Sequence, residues 1–72
     1  MKHDMLQAVN NVLTLLGSGR PNIITVNEHD QSKWDWRVAD EREQDTFVAF
    51  TGTLFGCLTV QAEYEKEADR PF

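Results

Sequence analysis

The sequence predicts a small α+β domain: a helix, three strands and a second helix, with the strands in an antiparallel sheet covered by the helices. Three observations carry this reading. Apolar residues recur at three- and four-residue spacing from Asp4 to Leu16, and apolar and charged residues alternate from Lys33 to Val38. A β-branched and aromatic run, Thr46 to Thr51, is broken by Gly52 and followed by a segment that finishes Glu-rich. With 72 residues the chain has room for one core, so residues 1–72 form a single domain.

In the first element Met5, Leu6, Val9, Val12, Leu13 and Leu16 fall on one side, opposite Gln7, Asn10, Asn11 and Thr14. Asp4 is the expected N-cap. Gly17-Ser18-Gly19-Arg20-Pro21 supplies a glycine C-cap and then a proline, ending the helix near Leu16. This glycine-containing loop follows a helix and precedes a strand, the reverse of a phosphate-cradling loop, so it is read as a connection.

Asn22 to Asn27 is short, β-branched and bounded by turn formers, which fits a strand. Lys33 to Val38 is the clearest strand in the chain. Its period of two puts Trp34, Trp36 and Val38 on one face and Lys33, Asp35 and Arg37 on the other. Tryptophan is common both in cores and at binding hot spots, so Trp34 and Trp36 are candidates for either role, with burial beneath the helices favoured.

Residues 46–62 admit four readings. The favoured one is a strand from Thr46 to Thr51, then a helix from Thr53 as N-cap, with Leu54, Phe55, Leu58 and Ala62 along one side and an end before Pro71. The alternative fold, helix-hairpin-long helix, runs one helix from about Asp40 or Asp45 to Ala68, but each interior glycine costs about 1 kcal/mol relative to alanine. A strand from Leu54 to Tyr64 fits the parity of its apolar residues but not the Glu-rich finish. A membrane span over Thr46 to Ala62, with Gly52 and Gly56 as a close-packing pair, is opposed by four threonines, Gln61 and acidic flanks. No membrane association is expected.

The element order resembles the topology of double-stranded-RNA-binding domains. That family grips phosphates with a lysine cluster at the start of its last helix, where this chain has Thr53-Leu54-Phe55-Gly56 and no cation, so the resemblance does not extend to RNA binding. Charge points the same way. Twelve acidic residues against seven scattered basic ones give a net charge of −5, which repels a phosphate backbone and excludes direct nucleic-acid binding as the expected activity.

Cys57 is the only cysteine, so no internal disulfide and no paired-cysteine zinc site can form, which fits a reducing, cytoplasmic setting. Its apolar surroundings make it a core residue rather than a nucleophile paired with His29 or His3. Glu28-His29-Asp30, with Asp35 nearby, could ligate a metal, but the composition of a hydrated hairpin turn explains it better. No cofactor, no metal and no enzymatic activity are expected.

Most of the excess charge lies in two segments, Asp40, Glu41, Glu43 and Asp45, and Glu63, Glu65, Glu67 and Asp69. Carboxylates near a helix C-terminus oppose the macrodipole, so Glu65, Glu67 and Asp69 are placed against the helix's own preference. Surface solvation accounts for such charge in many domains. The functional expectation is an acidic protein–protein interaction module, an inhibitor or adaptor acting on a basic, nucleic-acid-binding protein through these eight residues with Trp34 and Trp36. One rival is a homo-oligomeric assembly subunit, such as a homodimer, that buries surplus apolar surface between Phe47 and Val60; a metal-dependent or ligand-binding catalyst using His29 ranks last.

Overall fold

The computed structural model describes residues 2–40, 42 and 45–68, with the side chains of 8–40, 42 and 45–66. The elements are α1 (Lys2–Leu15), β1 (Asn22–Val26), β2 (Trp34–Ala39), β3 (Thr46–Gly52) and α2 (Leu54–Ala68), in the expected order. Of the four readings of residues 46–62, strand followed by helix is the one observed. Helix α1 begins before Asp4, so Asp4 lies inside it and is not its N-cap.

Local chemistry sets the boundaries. Gly17 and Gly19 adopt φ of 80° and 66°, left-handed values that a side chain resists, and turn the chain out of α1 towards β1. Asn27 builds the β1–β2 turn: its Oδ1 accepts the amide N–H groups of His29 (2.9 Å) and Asp30 (2.8 Å). Thr53 caps α2, its hydroxyl accepting the Gly56 N–H at 3.0 Å and its carbonyl the Cys57 N–H at 3.0 Å.

The sheet is antiparallel with strand order β1-β2-β3. Trp36 pairs with Ile24 on one side and Phe50 on the other, and Asp35 with Thr25 and Thr51. The register slips between Trp36 and Arg37, because Arg37 pairs with Val48 and Ala49 becomes an extra residue on β3. Ala49 is buried and its carbonyl accepts a hydrogen bond from the Asn11 side chain, so the bulge ties the edge strand to α1.

Both helices cover one face, the one bearing Trp34, Trp36 and Val38. Val12 and Leu15 of α1 meet Trp36, Val38 and Ala49 of the sheet and Cys57 and Tyr64 of α2 in a single core. The shortest dimension of the molecule is 16 Å, the thickness of one helical layer on one sheet. Among the described residues no helix lies over the other sheet face. There Arg37 donates through Nε to the Thr46 hydroxyl (2.7 Å) and through Nη2 to the Thr46 carbonyl (3.2 Å). Asp35 is only 4% exposed, yet its Oδ1 accepts both the Thr51 hydroxyl and the Asn27 amide at 2.8 Å, which satisfies the polar group.

The core face of α1 differs from the expected one. Ala8, Val12 and Leu15 point inward, whereas Val9 and Leu13 are exposed. In α2 the apolar side read from the sequence, Leu54, Phe55, Leu58 and Ala62, faces outward, while Cys57 is buried as expected and Tyr64 is buried with it. Leucine and phenylalanine dominate a hydropathy pattern, whereas tyrosine barely registers in it, so the pattern selects the wrong face.

Candidate functional site

The sequence-predicted partner residues fall into two groups that the fold treats differently. Trp36 has 0% exposure, its ring packed edge-on against Tyr64 with centroids 5.5 Å apart and planes at 65°. Its indole N–H donates to Asn22 Oδ1 at 3.1 Å, and Gln61 donates to the same oxygen at 2.7 Å. A side chain without accessible surface cannot touch a partner, so Trp36 belongs to the core. Trp34 is half-buried and packs against that core.

The described members of the acidic segments are brought to the same end of the molecule. Asn22 opens β1 and pairs with Val38 at the end of β2, and its side chain donates to Glu65 of α2 at 3.3 Å. The Ala39 N–H donates to the Pro21 carbonyl, and the Asp40 N–H to the Asp45 carbonyl, both at 2.9 Å. Tyr64 completes the junction: its hydroxyl donates to the Arg20 carbonyl at 3.0 Å and lies 2.7 Å from the Ser18 hydroxyl. Asp40, Asp45 and Glu65 therefore surround the end at which both helices finish, with Glu63 half a turn earlier on α2.

Glu41, Glu43 and Asp69 lie outside the described residues, and Glu67 is placed only by its position in α2. Asp40 Oδ1 accepts the Arg42 N–H at 2.9 Å and Asp45 Oδ1 the Thr46 N–H at 2.7 Å, so these two carboxylates also shape the turn. The two segments, with Arg70 directly after the second, hold eight carboxylates against Arg42, Lys66 and Arg70, which is the whole net charge of −5. The rest of the chain is neutral, with Asp4, Glu28, Asp30 and Asp35 balanced by Lys2, Arg20, Lys33 and Arg37.

Of the catalytic candidates, the His3 side chain lies outside the described residues, and His29 and Cys57 are not brought together. His29 is exposed on the β1–β2 turn, 3.5 Å from Glu28, while Cys57 is buried and its thiol donates to the Trp34 carbonyl at 3.4 Å. Burial, reinforced by the negative charge of Asp35, pushes the Cys57 thiol above its ordinary pKa and away from the reactive thiolate. Asp30 is pulled below the usual carboxylate range by hydrogen bonds from the Ser32 hydroxyl and N–H, as befits a turn residue. Among the described residues no three His, Cys, Asp or Glu side chains gather as a metal site, and no helix is long and apolar enough to cross a membrane.

A second surface falls partly within the Phe47 to Val60 stretch whose surplus apolar area the sequence offers to a homodimer. Along the outward side of α2 run Phe55, Leu58, Thr59, Ala62, Glu63 and Lys66, and a groove beside them is lined from α1 by Val9 and Leu13. Phe55 is 80% exposed and Leu13 60%. The glycines once read as a helix-packing pair have another role. A β-carbon on Gly52 would stand 2.6 Å from the tip of the Phe50 ring, and one on Gly56 3.2 Å from it, so the two glycines make room for that ring.

No family model matches this chain, and no characterised protein or solved structure matches it either.

Proposed function

We propose that this chain is a protein-interaction module, not a catalyst, which engages a basic protein through the acidic end of its sheet and helices and acts as an inhibitor or adaptor. The observation that supports the reading is that, among the described residues, Asp40, Asp45 and Glu65, distant in sequence, stand at one end of the fold. Carboxylates concentrated in this way raise the local density of a cationic partner and speed its encounter, a benefit that charge spread over the surface does not give.

The test is salt-dependent capture. The immobilised chain should retain basic proteins at low ionic strength and release them as salt is raised. Replacing Glu63, Glu65 and Glu67 together with glutamine should weaken the capture by about tenfold. Retention that ignores both salt and these substitutions would sink the reading. A homo-oligomeric subunit is the second reading, favoured by the outward apolar side of α2.

A further inference from the structure

We infer that the outward face of the helical layer binds a second copy of this chain, with α2 of one copy lying antiparallel on α2 of the other about a two-fold axis. An outer helix face in a monomer is ordinarily polar. Here Val9, Leu13, Leu54, Phe55 and Leu58 are each more than two-fifths exposed. Together they show on the order of 500 Å² of apolar surface, at the upper end of what a monomer displays in one patch. One partner in a stable interface contributes about 800 Å², somewhat over half of it apolar, so this face supplies the apolar content that a dimer of ordinary size requires.

Charge selects the occupant. Among the described residues the ionisable groups in the α2 stripe are Glu63 and Lys66, one of each sign, so this stripe is neutral although the chain carries −5. A strongly basic partner has no reason to prefer it; a copy of the same neutral stripe does. The stripe is also symmetric in sequence about a point between Val60 and Gln61. A two-fold axis there sets Phe55 against Lys66 of the other copy, Leu58 against Glu63, and the small residues Thr59 and Ala62 against each other. The small central pair lets the helix axes approach closely. At either end an ammonium group meets the face of a phenyl ring, and the lysine stem covers its edge.

The antiparallel arrangement also answers the repulsion between two chains of charge −5. Helix α2 runs from the Trp34 end of the sheet to the acidic end, so reversing it in the partner puts the two acidic ends on opposite sides of the dimer.

Sedimentation equilibrium of the full chain over a wide concentration range, at low and high salt, tests this. The expected result is a reversible dimer that tightens as salt screens the like charges, the opposite of the salt response of the acidic end. Phe55→Ser and Ala62→Arg alter exposed positions and should each raise the dimer dissociation constant at least tenfold, with the far-ultraviolet circular dichroism unchanged. Wild-type chain that stays monomeric at every concentration, or a dimer indifferent to both substitutions, would overturn the inference. The inference stands apart from the proposed function, because Phe55→Ser changes no charge and leaves capture of basic protein at low salt intact.

Discussion

Cys57 shows how one buried group reports on its surroundings. Its thiol pKa is raised above the ordinary 9.0, first by burial and then by the charge of Asp35. A raised folded-state pKa means that the group's contribution to stability is complete below about pH 9 and is lost as pH climbs through the raised value. The free energy of unfolding of the wild-type chain should therefore fall more steeply above pH 9 than that of Cys57→Ala, measured by urea titration across the alkaline range; parallel slopes would contradict the assignment. Phe50 gives a second residue-scale prediction. Gly52 and Gly56 both face the Cζ–Cε2 end of its ring, so a methyl at Gly52 forces that end of the ring to move. Gly52→Ala should destabilise the fold by about 1–2 kcal/mol, and Phe50→Leu in the same chain should recover much of that, a non-additivity that thermal melts would read directly.

For the elements, what sequence reveals and what it hides can be separated residue by residue. Strand β2 is legible because backbone pleating forces period two, and Trp34, Trp36 and Val38 do share the covered face. The capping threonine of α2 is legible because its hydroxyl has one local task, confirmed by its bond to the Gly56 N–H. The face a helix buries is harder to read. Both helices carry apolar residues over more than half their circumference, and the partner surface, not the periodicity, decides which stripe goes inside. On α1 that decision separates Leu15, buried, from Leu13, exposed. Leu15→Ala should cost about 2–5 kcal/mol, whereas Leu13→Ala should stay within about 0.5 kcal/mol, as denaturant melts at low protein concentration will show. The bulge at Ala49 leaves no trace in composition, since an extra residue in a strand looks like any other until its partner strand is known.

On the scale of the whole molecule, the candidate site was partly legible. Both acidic segments can be seen in the sequence, but the meeting of Asp40, Asp45 and Glu65 at one end depends on Asn22 and Tyr64 closing contacts over 43 to 46 residues, which no local pattern encodes. The outward apolar stripe is visible in the sequence as one side of a helix and as surplus apolar surface, but a sequence shows that a residue is apolar before it shows what covers it. Acidic end and neutral stripe predict opposite responses to salt, so a single ionic-strength series distinguishes them. The course of the helices has a further effect. Because α1 and α2 both finish at the end that carries the charge, each adds about half an elementary negative charge there through its terminal carbonyl groups. The folded chain is thus a polar body, negative at one end, with extents of 38 × 29 × 16 Å. In the field of a cationic surface it experiences a torque as well as an attraction, so it turns end-on before contact and arrives with the sides of its helices still free.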